Sequence, residues 1–233
     1  MSDDIRSAGV PDPLQGPCAE IFERNRAWAS EMRLERPDFF TRLLAQQAPK
    51  WMWIGCSDSR VPANQVMGLD PGEVFVHRNV ANVIAHSDLN ALSTLQYAVE
   101  RLKVEHVTVT GHYGCAGVGA ALRGERVGLA DNWLRQIQNI RDRYWEGMSK
   151  VVEAERADLL CEINSLTQAL HVAQSTVVLD AWAAGQQLTI HAWVYGLQDG
   201  LLHDLGLSLS SPEGMERQYD QAVVRAIARR TPA

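Results

Sequence analysis

The sequence predicts an α/β fold, a parallel-core β-sheet flanked by helices. Two observations carry that reading. Three short apolar runs, KWMWIG at 50–55, EVFVHR at 73–78 and EHVTVTG at 105–111, each suit a buried strand, and helical stretches alternate with them. Strands alternating with helices imply parallel pairing through right-handed crossovers. In such sheets ligands gather beyond the carboxyl ends of the strands, which directs attention to the residues that follow each run.

In chain order, residues 1–17 (MSDDIRSAGVPDPLQGP) read as a loose arm. CAEIFERNRAWASEMRLE at 18–35 then places Ile21, Phe22, Trp28, Ala29 and Met32 on one helical face, the signature of an amphipathic helix. Pro37 opens a second helix through FFTRLLAQQ. Between the second and third strands, SDLNALSTLQYAVERL at 87–102 is a helix with Ser87 or Asp88 as N-cap and Leu89, Leu92, Leu95, Tyr97 and Val99 among its apolar positions. A helix starts at Ala116, and a polar helical region follows over roughly 132–180. LTIHAWVYG and LLHDLGLSL read as two more strands, joined through Gln198-Asp199-Gly200, where Asp-Gly is a good turn signal. A last helix spans roughly Pro212 to Arg229. No repeat, low-complexity tract or linker divides the chain, so residues 1–233 are expected to form a single domain.

Composition narrows the function classes. A chain of 233 residues buries a substantial core. The net charge of -6, with no basic stripe on any segment, argues against a nucleic-acid partner. No run of 18 or more apolar residues is present to span a bilayer. The N-terminus has acids and prolines where a signal peptide needs a basic start and an apolar run, so a cytoplasmic location is expected. Four cysteines in a chain of this length do not make a disulfide scaffold; in a reducing compartment, spaced Cys and His are read as metal ligands or catalysts. Cys18 and Cys161 have no partner pattern and are expected to be packing residues.

WIGCSDSR at 53–60 ends an apolar run at Gly55 and delivers a thiol, a carboxylate and a guanidinium at alternate positions, Cys56, Asp58 and Arg60. GHYGC at 111–115 adds His112 and Cys115 after another strand. Two thiolates and one imidazole suit Zn2+ better than Mg2+ or Ca2+, and three protein ligands leave the fourth tetrahedral position open, as in catalytic zinc sites. The positive end of the helix from Ala116 favours a thiolate at Cys115. Asp58 either ligates the metal or accepts a hydrogen bond from a group bound there. Arg60 decides between these states by bidentate pairing. Buried structural residues, and an ordinary Asp58–Arg60 ion pair, are the alternatives.

CSDSR, with RNVAN and GHYGC downstream, resembles a β-class carbonic anhydrase, and the resemblance runs from the amphipathic N-terminal helices to HAWVYGLQDG. It implies reversible hydration of CO2 to bicarbonate and a proton by zinc-bound hydroxide, with one Zn2+ per subunit. It also implies dimers with active sites near the subunit interface, often paired into tetramers, so the chain is expected to be a homodimer or homotetramer. The N-terminal amphipathic helices are expected to pack on a partner subunit. Position by position, the resemblance makes Cys56, His112 and Cys115 the zinc ligands and Asp58 and Arg60 the catalytic dyad. Gln47 aligns with a glutamine that helps bind substrate.

One subgroup of that family closes its site, with the aspartate as fourth zinc ligand and bicarbonate held in a separate pocket by a tryptophan, an arginine and a tyrosine. Trp53, Arg78 and Tyr195 stand at the matching places, which implies allosteric bicarbonate inhibition with Asp58 on the metal in the closed state only. Two departures bear on catalytic speed. Relatives show Cys-Gly-Gly and His-Gly-Trp where this chain has Cys115-Ala116-Gly117 and His191-Ala192-Trp193, and an added methyl is expected to crowd the turn or narrow the pocket. Two thiolates also make the zinc a weaker Lewis acid than three imidazoles do, so alkaline conditions are expected to favour the enzyme. The rivals are a zinc hydrolase acting on a CO2-like molecule such as carbon disulfide, and a non-catalytic zinc- or bicarbonate-binding protein. A thiol redox protein ranks last, because the chain has no Cys-x-x-Cys.

Overall fold

The computed structural model describes residues 17–45 and 47–232. The arm expected at 1–17 lies outside the described residues apart from Pro17, which opens the first helix. The chain divides into two compact units at the Gln46–Gln47 boundary. In the first, α1 (Pro17–Glu35) and α2 (Phe39–Ala45) are joined by a ring cluster in which Trp28 meets Phe39 and Phe40 edge-on, with centroids 6.3 and 5.8 Å away. Arg33 and Arg36 lie over Phe40 and Phe39. Of the apolar helical face, Ile21 and Phe22 are 62% and 50% exposed.

The second unit runs β1 (Trp51–Cys56), α3 (Ala63–Met67), β2 (Val74–Asn79), α4 (Leu89–Gln96), β3 (His106–His112), α5 (Ala116–Arg123), α6 (Ala130–Met148), α7 (Arg156–Ala173), α8 (Thr176–Ala183), β4 (Thr189–Tyr195), β5 (Leu202–Leu209) and α9 (Met215–Arg230). The five strands lie in the order β2-β1-β3-β4-β5. β1 pairs in parallel with both β2 and β3, β3 pairs in parallel with β4, and β5 closes the sheet antiparallel to β4. The expected parallel-core sheet is therefore present. Chain order reverses direction between β1 and β3, and the crevice beyond a reversal of this kind is where open α/β sheets bind ligands.

Alternation assigns the two faces. Met52 and Ile54, with Val107, Val109, Ile190, Ala192 and Val194, enter the main core against the helices. Trp51 and Trp53 point the other way, into a smaller cluster with Val61, Ala63 and Val74. Asp88, not Ser87, caps α4, its carboxylate accepting from the Asn90 and Ala91 amides at 3.0 and 3.3 Å. The Gln198-Asp199-Gly200 turn is as expected, with the Leu201 carbonyl accepting from Gly196 N–H and Gly200 at φ 71°.

The region over 132–180 is helical as expected, in three α-helices, and its middle helix is buried: Leu159 through Leu170 are all buried, including Glu162, Asn164, Ser165, Thr167 and Gln168. Those polar side chains survive burial because hydrogen bonds satisfy most of them. Gln168 Oε1 accepts from Ile84 N–H at 2.8 Å, Asn164 Nδ2 donates to Ala81 O at 2.9 Å, and Thr167 Oγ1 shares a 2.9 Å bond with the Tyr219 hydroxyl. α3 was not anticipated from the sequence.

Candidate metal centre

Cys56 is the last residue of β1, His112 the last of β3, and Cys115 the N-cap residue of α5. All three are buried, and one ligand atom from each lies within 4.8 Å of the others. Their chemistry fits zinc. The two Sγ atoms are 4.0 Å apart, close to the roughly 3.8 Å that tetrahedral geometry gives with Zn–S bonds of about 2.3 Å. His112 Nδ1 meets the Tyr113 carbonyl at 3.0 Å, which makes Nδ1 the donor and leaves Nε2 as a lone-pair acceptor. Among the described residues, buried Nε2 has no hydrogen-bond partner, an orphan that a metal ion would satisfy.

RNVAN supplies the fourth wall. Ala81 and Asn82 take positive φ values of 62° and 47°, which aims the Ala81 amide at Cys56 Sγ, 3.3 Å away. A left-handed alanine is strained, and its neighbours hold it. Asn79 brackets the turn through Val83 N–H at 2.8 Å and Val83 O at 2.7 Å, while Asn164 holds the Ala81 carbonyl.

Electrostatics make the sulfurs unequal. The hydrogen bond from Cys115 draws the Cys56 thiol down to about 4, while that same bond and burial push Cys115 well up. Metal binding then displaces the proton the pair shares. Burial opposes protonation of His112, but the closeness and charge of Cys56 outweigh burial and raise it.

Asp58 and Arg60 pair as expected. Arg60 Nε reaches Oδ1 at 3.0 Å and Nη2 reaches Oδ2 at 2.7 Å, with the Arg60 amide adding 2.9 Å to Oδ1. That hydrogen bonding holds the Asp58 carboxyl far below the ordinary carboxylate range. Asp58 stands outside the three-ligand cluster, yet its Oδ2 lies 3.7 Å from His112 Nε2. The pair thus borders the metal position with Asp58 drawn toward Arg60.

Trp53 and Tyr195 fall in one apolar cluster, and Arg78 lies beside Gly55 in the β1–β2 register. Trp53 is 0% exposed, and its buried indole N–H has no partner among the described residues. Arg78 Nε donates to Cys56 O at 2.8 Å and Nη2 donates to Asp58 O, so this guanidinium grips the backbone of the CSD turn. Gln47 is exposed in the irregular segment before β1, and no hydrogen bond among the described residues joins it to the cluster.

Ala116 is exposed at the first position of α5. Ala192 is buried in β4, opposite Val109. Cys161 is buried in the main core, as expected of a packing residue, whereas Cys18 is exposed on α1. Sequence reasoning missed the support behind GHYGC. Tyr113, Glu162 and Arg230 belong to this support, and no local motif marks them.

Comparison with known proteins agrees with this geometry. The family profile described as carbonic anhydrase matches residues 51–202. A carbonic anhydrase of Emericella nidulans is 44% identical over 208 residues, covering 89% of this chain and 91% of its own. The Coccomyxa β-carbonic anhydrase in complex with acetazolamide superposes with a TM-score of 0.81 at 31% identity, over 91% of this chain and 98% of its own. One of two tetrameric β-carbonic anhydrases from Sordaria macrospora gives 0.77 at 33% identity, over 82% and 98%. This chain belongs to the carbonic anhydrase family, in its β class.

Proposed function

We propose that the chain catalyses zinc-dependent reversible hydration of CO2 to bicarbonate and a proton, as a homodimer or homotetramer in the cytoplasm, with residues 1–233 acting as one functional domain. The observation that carries the reading is a buried Cys56, His112 and Cys115 cluster whose one unsatisfied nitrogen faces the Asp58–Arg60 pair. Zinc held there supplies a Lewis acid that lowers the pKa of a coordinated water and so provides the nucleophile. The chain's own residues do the rest. Asp58, ionised and with its carboxylate anchored by Arg60, is an acceptor-only group at the edge of the metal position, able to take the nucleophile's hydrogen bond and fix its orientation. Arg60 also reaches Gly114 O at 3.4 Å, tying the dyad to the turn that carries His112 and Cys115. Gln47 is assigned to substrate binding on resemblance alone. No helix among the described residues is long and apolar enough to cross a membrane.

Stopped-flow CO2 hydration across pH, on protein of measured zinc content, tests the reading. Zinc-loaded protein without hydration would leave the non-catalytic alternative standing, and turnover of carbon disulfide but not CO2 would favour the hydrolase.

Regulation is the second part of the proposal: bicarbonate bound by Trp53, Arg78 and Tyr195 favours a closed state in which Asp58 caps the metal. Two observations support it. The buried Trp53 N–H lacks an acceptor among the described residues, and Arg78 holds the carbonyl of Asp58 itself. An anion that engages Arg78 competes with that bond and so reaches the Asp58 backbone, and it shifts the equilibrium only as far as it prefers one state. Arg78→Ala is expected to abolish inhibition by added bicarbonate while zinc stays bound; undiminished inhibition would remove this second site.

A further inference from the structure

Tyr113 lies between two zinc ligands, and its carbonyl is the group that meets His112 Nδ1 at 3.0 Å. Whatever fixes Tyr113 therefore fixes the imidazole. Its amide donates to the Tyr195 carbonyl at 3.0 Å, and its hydroxyl donates to Glu162 Oε1 at 2.7 Å. Glu162 sits mid-helix in α7 and is only 3% exposed. From the last turn of α9, Arg230 meets that same oxygen through Nη2 at 2.7 Å and Nε at 3.2 Å. Its guanidinium also lies 5.5 Å from the Tyr113 ring centroid, and Nη1 reaches Glu155 at 3.3 Å. Arg229 stands 3.5 Å from Glu162 Oε2.

A buried ion pair is weak evidence for stability, because desolvation offsets most of its attraction and apolar packing serves as well. Here a buried carboxylate and a guanidinium from two helices converge on one residue in the metal-binding turn, the carboxylate on its hydroxyl and the guanidinium over its ring. That residue carries the carbonyl orienting a ligand. Partners of this outer kind set the tautomer and direction of a metal-bound histidine.

We propose that Tyr113, Glu162 and Arg230 are positioning residues, a clamp running from α9 through α7 that aims His112 Nε2 at the metal and slows zinc loss. The clamp rests on the zinc reading of Cys56, His112 and Cys115. Removing it strains the coordination of a bound ion rather than merely loosening the fold, and this distinguishes it from a structural ion pair.

The test measures zinc release to a chromophoric chelator, together with the visible spectrum of Co2+-substituted protein, for the parent, Tyr113→Phe and Glu162→Gln. Tyr144→Phe serves as control, since it deletes a 2.8 Å bond to the Tyr219 hydroxyl that involves no ligand. The clamp predicts release about tenfold faster in Tyr113→Phe, with shifted Co2+ bands, and parent-like release in Tyr144→Phe. Should Glu162→Gln fail to fold, Tyr113→Phe alone decides. Release within twofold of the parent and an unshifted Co2+ spectrum in Tyr113→Phe overturn the clamp while leaving the zinc reading intact. A parent without stoichiometric zinc overturns both.

Discussion

Gly55 lies between Trp53 on one sheet face and the ligand Cys56 that ends the strand, and replacing it tests whether packing on that face sets the strand end. A Cβ built at Gly55 would lie 2.9 Å from Trp53 Cε2 and 3.0 Å from Cδ1, and nearer still to Nε1. Carbon atoms in contact sit about 3.5–4.0 Å apart, so the indole would have to retreat by at least about 0.6 Å (3.5 − 2.9). It has nowhere to go, being fully buried against Val61, Ala63 and Val74, with Tyr195, Leu197 and Leu202 packed around them. Overpacking costs roughly 1–3 kcal/mol, and a rigid ring with no free direction belongs at the upper end. At about 3 kcal/mol, and about 2–4 °C per kcal/mol for a unit of this size, Gly55→Ala should lower Tm by about 6–12 °C. Thermal unfolding followed by circular dichroism measures this. The Trp53→Leu background supplies the control, because Gly55→Ala should then cost far less than in the parent. A Gly55→Ala protein melting within about 1 °C of the parent, or an equal cost in both backgrounds, would refute the contact.

Two further predictions follow from the charges. Arg60→Ala leaves the backbone bond to Asp58 Oδ1 but deletes both guanidinium bonds, so CO2 hydration should fall by about a hundredfold or more at full zinc occupancy; an unchanged stopped-flow rate removes the dyad from the chemistry. Burial depresses His77, His171 and His191, the last with help from His106. For each, the unfolded chain binds a proton more readily than the folded one, so their contribution to stability is full above the unfolded value of about 6.5 and declines as pH falls through it. Urea midpoints should drop between pH 8 and pH 5.5, and the drop should shrink in His77→Gln, whose zinc ligands are intact; identical slopes in the two proteins would contradict the assignment.

The strands and the ligand set were legible in the sequence for a common reason. Buried strands are short and apolar, so a Cys or His at the end of one stands out, and three such residues define a donor set. The supporting shell was not legible, because its bonds join residues far apart in sequence. Tyr113 finds Glu162 49 residues away, Glu162 finds Arg230 68 away, and Asn164 finds Ala81 83 away. The burial of α7 was not legible for a related reason. Its Glu162, Asn164, Ser165, Thr167 and Gln168 break apolar periodicity, and most find partners in strand ends and turns. Polarity in a sequence counts groups that need partners; it does not say that water is the partner.

β1 shows how one strand serves two roles. Alternation sends Met52, Ile54 and Cys56 to the main core and Trp51 and Trp53 to the opposite face, so the ligand and the candidate effector tryptophan are three residues apart but on opposite sides of the sheet. Side chains on opposite faces do not touch, and any coupling between them has to pass through the backbone or around its end. Arg78 occupies that route, since it pairs in register with Gly55 and donates to the carbonyls of Cys56 and Asp58. On the proposed reading, bicarbonate need not move the zinc ligands at all. It need only exchange one of those carbonyl bonds for a bond to itself, and the freed Asp58 turn then chooses between Arg60 and the metal.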